Sequence, residues 1–210
     1  MKIYLRRFIL LLLLGGAECF SGCFNLKPVA AAPRYFVLSP VAGEAGTSRQ
    51  TGSGPAQAVG VGPVKLPGYL ARKSLAVRKG ANEIEYLQSA HWAENLEQGF
   101  GRVFAADLAG RLPSTQVRRA VWGSDEVAVE IHITVERFDV DAAGQGELVA
   151  GYRILSPGKG EVLKAEQFRA ARSGPRPESD PKGATATLSA LVGDLSGELA
   201  KAVETTTEKK

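Results

Sequence analysis

The longest unbroken apolar run comes first: residues 8–14, FILLLLL, stand behind Lys2, Arg6 and Arg7 and ahead of Gly15, Gly16 and Ala17. It falls short of the ~20 apolar residues a membrane-spanning helix needs. A basic front and a small-residue exit mark it as an export signal rather than part of the fold. Residues 34–40, RYFVLSP, then read as a strand rich in aromatic and branched side chains and stopped by proline. Residues 41–58 are Gly/Ser/Thr-rich, bury little, and read as a flexible loop. Short strands follow at 58–64, 74–78 and 83–87, with turn signals at Pro67-Gly68 and Gly80-Ala81-Asn82.

The period then changes. Trp92, Leu96, Phe100, Val103, Phe104, Leu108 and Leu112 recur in steps of three and four, which predicts an amphipathic helix with Ser89 as its N-cap and Pro113 as its stop. A strand is expected at 117–122, and a stronger one at 126–135, where Val127, Val129, Ile131, Ile133 and Val135 alternate with polar or small residues. The apolar phase slips to Phe138 and Val140, which predicts a bulge near Glu136 and Arg137. Strands at 147–155 and 161–171, with turns at 141–146 and 156–160, complete an antiparallel meander. Asp180-Pro181 opens a last helix with Leu188, Leu191, Val192, Leu195, Leu199 and Val203 on one face, and residues 205–210 are expected to be a frayed tail. The fold class is therefore α+β: a mostly antiparallel sheet with two amphipathic helices packed on one face. The expected organisation is a signal at 1–22, a tether at 23–33 and a single domain at 34–204.

Composition narrows the compartment and the chemistry. The two cysteines, Cys19 and Cys23, both lie in or beside the export signal. The rest of the chain therefore has no cysteine for a disulfide, a metal site or a nucleophile. Loss of residues 1–22 removes three basic residues and Glu18, so the formal charge of +4 falls to +2, no footprint for nucleic acid.

The stretch 60–72, GVGPVKLPGYLAR, has the glycines and cations of a phosphate loop. Yet Pro63 follows Gly62, a turn follows Leu66, and no helix starts there to hold an anion. His91 and His132 are isolated and read as boundary or surface residues, although a hydrolase would have to use them. Glu83 with Glu85 and Glu94 with Glu97 could be paired acids, but solvated or helix-capping roles suit their positions better. Arg72, Lys73, Arg78 and Lys79 form a basic cluster that could face anionic headgroups or simply block a strand edge. No catalytic residue, cofactor or metal site is assigned.

Two resemblances add to this. Phe20-Ser21-Gly22-Cys23 resembles the lipobox of bacterial lipoproteins, which implies cleavage before Cys23 and a diacylglycerol on its thiol; the competing reading is an ordinary signal with release of a soluble chain. The segments VGVGPVKLPGYLARKSLAVR and ANEIEYLQSAHWAENL, with RYFVLSP before them, resemble the paraquat-inducible lipoprotein C family. These are auxiliary lipoproteins of ABC-type transport systems built around mammalian-cell-entry (MCE) domain proteins. Where that family has proline after Trp-Ala-Glu, this chain has Asn95, which blurs the predicted helix start. The resemblance implies a non-enzymatic docking subunit, anchored in the membrane through acylated Cys23, that assists lipid movement between inner and outer membranes. It also implies an MCE-domain partner and, by analogy, a homo-oligomer. Phe24 after the cysteine, rather than aspartate, implies the outer membrane. Leu66, Tyr69, Leu70 and Arg72, beside the Pro-Gly bend, are the candidate partner-binding residues; the alternative for Tyr69 and Leu70 is a place in the core. The alternative is a periplasmic lipid-binding carrier with a cavity between sheet and helices.

Overall fold

The computed structural model describes residues 32–41, 58–119 and 122–207. Eight strands form one sheet: β1 (Arg34–Phe36), β2 (Val59–Lys65), β3 (Ser74–Gly80), β4 (Glu83–Trp92), β5 (Val117–Arg119), β6 (Val129–Asp141), β7 (Gln145–Leu155) and β8 (Val162–Ser173). Two helices, α1 (Leu96–Arg111) and α2 (Pro181–Thr207), pack against each other. α1 lies over β2 and β5, and α2 over β6, β7 and β8.

The axis is β6. Along one side it pairs antiparallel with β7, which pairs antiparallel with β8, so the meander is as expected. Val129, Ile131, Ile133 and Val135 are buried by the alternation. The register shifts between Val135 and Arg137, so Glu136 is the extra residue that returns Phe138 and Val140 to the core. Phe138 meets Phe100 of α1 edge to face at 5.2 Å. The turn into β7 is fixed by Asp141, whose Oδ1 accepts from the amides of Ala143 and Gln145 at 2.9 and 2.8 Å. Gly144 there has φ +95°, and a Cβ would stand 2.3 Å from the carbonyl oxygen of Gly174.

The other side of β6 is shared. β2 pairs with its first half and β3 with Val140 and Asp141, both in parallel. β1 is also parallel to β4, and β5 to β2, while β3 and β4 form an antiparallel pair. The longest ladders are antiparallel, but the sheet is mixed. Gly60 lets β2 pass beneath Trp122: a Cβ would lie 2.6 Å from the indole.

Three local expectations need correction. Trp92 closes β4 rather than opening a helix, and its amide donates to the Lys73 carbonyl at 2.6 Å. The N-cap is Asn95, not Ser89; its side chain accepts from the Gln98 amide at 3.1 Å and thus defines the helix start that the departure from Pro had blurred. At the other end, α2 continues through Thr207, and the hydroxyls of Thr205, Thr206 and Thr207 donate to the carbonyls of Lys201, Ala202 and Val203 one turn back. Residues 205–207 are therefore helix rather than frayed tail. The predicted start at Asp180-Pro181 is as expected, with Asp180 Oδ1 accepting from the Gly183 amide at 3.0 Å.

Beyond β1, residues 37–41 cross the helix pair. The Ser39 amide donates to Ser189 Oγ at 3.2 Å, the Val41 amide to Asp107 Oδ1 at 2.8 Å, and Arg102 to the Leu38 carbonyl at 3.0 Å. Leu38 is 1% exposed. This strap is held by both helices.

Candidate functional site

The candidate partner residues sit where the chain passes from β2 to β3. After Lys65 the backbone turns through Pro67 into a short 3₁₀ turn, Gly68–Ala71, closed by the Leu70 amide donating to the Pro67 carbonyl at 2.9 Å. Leu70 points into the core and is 5% exposed. Of the two readings of Leu70 the core one fits: it belongs to the same cluster as Leu75 and Leu87 and has almost no accessible surface to offer. Leu66 and Tyr69 are half-buried against the same core, and Arg72 is exposed with its guanidinium 4.9 Å from the Tyr86 ring centre.

Tyr69 is tied down by its hydroxyl. It donates to Asp139 Oδ2 at 2.8 Å and accepts from the Phe138 amide at 3.4 Å, and its carbonyl accepts from the Tyr86 hydroxyl at 3.0 Å. Asp139 is 1% exposed, and its carboxylate also accepts from Arg78 at 2.7 Å and from Arg137 Nε at 3.0 Å. Arg137 continues the network to Glu147. A carboxylate this buried is tolerable only with such donors around it. Burial first, then the negative charge of Asp139, pushes the Tyr69 hydroxyl up to about 12. The hydrogen bond to Asp139 likewise raises Arg78. These groups lock the turn onto β3 and β6 at the point where the two sides of the sheet divide.

The basic cluster is split accordingly. Arg78 is committed to Asp139, and Lys79 bridges Glu85 at 2.9 Å and Glu178 at 2.5 Å. Arg72 and Lys73 remain at the surface. Three of the four acids in the candidate pairs hold other groups. Glu85 holds Lys79, Glu94 holds Arg102 at 2.5 Å, and Glu97 accepts from the Leu66 amide at 3.3 Å. His91, on β4, meets Tyr35 edge to face at 5.8 Å, while His132 stands 3.6 Å from Glu130 two residues before it on β6. Among the described residues no group of three His, Cys, Asp or Glu could hold a metal ion, and no helix is long and apolar enough to cross a membrane. Cys23 lies outside the described residues.

Asp139 was not singled out in the sequence. Its signal is a lone acid between Phe138 and Val140 just past a bulge, which places a charge in a buried row.

What the described residues define is an α+β domain whose conspicuous charged groups are spent on holding its own turns. The chain belongs to the ABC-type transport auxiliary lipoprotein component family, whose model matches residues 36–200. Two solved structures share the fold. One is a crystal structure of an uncharacterized protein, 17% identical, covering 82% of this chain and 99% of that one, with a TM-score of 0.67. The other is protein XCC0632 from Xanthomonas campestris, 17% identical, covering 73% of this chain and 87% of that one, with a TM-score of 0.61. No curated protein matches.

Proposed function

We propose that this chain is the non-enzymatic docking subunit of an MCE-type lipid transport system. It is anchored through acylated Cys23 in the outer membrane and faces the periplasm. The observation that carries the reading is the family match over residues 36–200. The lipobox-like FSGC supports the anchor, and Phe24 supports the outer membrane. By the same analogy the subunit works in more than one copy.

The docking surface in this proposal is the outer side of the 66–72 turn: Leu66, the accessible edge of Tyr69, and Arg72. Leu70 and Asp139 hold that surface in shape from below. A carrier reading has less support. Phe100, Phe104, Leu108, Ile131, Leu148 and Leu188 are almost completely buried between helices and sheet, so that layer is filled with side chains.

The test is capture of an MCE-domain protein from the same cells by the membrane-extracted chain. The wild-type chain is expected to retain it, and Leu66→Ser with Arg72→Glu to lose it while remaining folded. Equal retention by the folded double variant would remove this surface. No retention by the wild-type chain would remove the MCE partnership.

A further inference from the structure

We infer that β8 is a self-association edge: it pairs antiparallel with β8 of a second copy of this chain, about a two-fold axis at Ala165. The inference does not depend on the lipid anchor or the MCE partnership. It gives a surface to the reading that the subunit works in more than one copy.

The margins of the sheet are unequal. β1 and β5, which end the sheet elsewhere, are three residues each. β8 is twelve residues, bonded to β7 along one side from Val162 to Ser173, and among the described residues no strand pairs with its other side. It contains no proline, and its one register shift against β7 falls at Leu163, so Lys164 to Ser173 keep an unbroken register. A long row of unpaired amides and carbonyls is a template for another strand, which is why free edges are kept short.

The side chains select a second copy as that strand. A two-fold interface uses the same patch on both copies, so the patch must be complementary to itself. Lys164 and Glu166 are neighbours on one face of β8, 3.3 Å apart, and the Tyr152 hydroxyl donates to Glu166 at 2.8 Å, which holds the carboxylate in place. An antiparallel copy centred on Ala165 sets Lys164 of each chain opposite Glu166 of the other. The four charges then alternate, and only the small Ala165 side chains meet at the axis. Moving the axis by one residue opposes lysine to lysine at 164 or glutamate to glutamate at 166, and like charges directly opposite destabilise a sheet. An axis at Gln167 opposes Lys164 to Ala170 and Glu166 to Phe168, which pairs neither charge across the seam.

The same register covers the apolar start of the strand. Val162 and Leu163, 48% and 36% exposed, come beside Phe168 and Gln167 of the second copy. Residues 162–168 of the two copies overlap, which is the length of an ordinary strand.

Disulfide trapping in the full chain, extracted in detergent, tests this. Residues directly opposite in an antiparallel pair have Cα atoms about 4.5–5.5 Å apart, within disulfide reach, so Ala165→Cys should link to itself on oxidation. Two copies of Gln167 would be offset by about 13 Å along the strands, so Gln167→Cys should not. Trypsin cuts after Lys164 and Arg169, and the peptide 165–169 is therefore read apart from Cys23. Sedimentation of the unaltered chain should show self-association that Lys164→Glu weakens roughly tenfold and that Lys164→Glu with Glu166→Lys restores. Linkage at 167, no linkage at 165, or a Lys164→Glu chain that associates as tightly as the wild type overturns the inference. If the chain still associates without linkage at 165, this edge is removed and the multiple-copy reading stands; if it is a monomer, both fall.

Discussion

Two short stretches, each with a tyrosine beside branched apolar residues, meet opposite fates. In the 66–72 turn, Leu70 is buried and Tyr69 is held by Asp139. In 34–41, Tyr35 and Val37 face outward although the backbone around them is just as firmly bonded. The difference lies in what each segment covers. The turn closes the gap where β2 and β3 share one side of β6, so its apolar residues have a core beneath them and a buried carboxylate to satisfy. The other segment is an edge strand and a strap, with a core on one side only, and alternation leaves the other side bare.

The contrast breaks most readily at Asp139. Asp139→Ala strands Arg78, Arg137 and the Tyr69 hydroxyl, and is expected to lower unfolding stability by about 3–5 kcal/mol in a denaturant titration. A loss below about 1 kcal/mol would mean that the network is a surface ornament and the turn is not locked. Next is Leu70→Ala, expected to cost about 2–5 kcal/mol by the same measurement, as a core leucine does. A neutral result would return Leu70 to the surface.

Tyr69→Phe removes a hydrogen bond to a charged acceptor, for about 1.5–3 kcal/mol. It also has a pH signature. The folded hydroxyl titrates at about 12 against an unfolded value of 10.0, so its contribution is complete below pH 10 and is lost as pH rises through 12. The wild-type chain should lose stability over that window more steeply than Tyr69→Phe, and parallel profiles would contradict the assignment. The smallest change is expected from Tyr35→Ser with Val37→Ser. Stability should stay within about 0.5 kcal/mol, as for surface positions, and a larger loss would show that these side chains serve the fold.

The same contrast explains what the sequence revealed. The meander was legible because alternation at Val129, Ile131, Ile133 and Val135 is a local signal, and the slip at Glu136 is visible as a break in phase. Parallel pairing of β1, β2 and β5 was not, since nothing in a strand's own pattern names its partner. Trp92 misled because its four-residue step to Leu96 equals a helical step although it ends a strand. Tyr69 and Asp139 are 70 positions apart, so nothing in the turn's own residues showed that Tyr69 is tied down. For 34–41 a strand was evident, although it ends at Phe36 rather than at Pro40. Which edge would be covered depended on helices more than sixty residues away.

In the proposed function the docking turn depends on a chain held at a membrane by acylated Cys23. The most direct test of that claim is the mass of the N-terminal peptide from membrane-extracted protein. The account predicts a peptide beginning at Cys23 and carrying acyl chains. A mature N-terminus without acyl mass, or one that begins beyond Cys23, would contradict it.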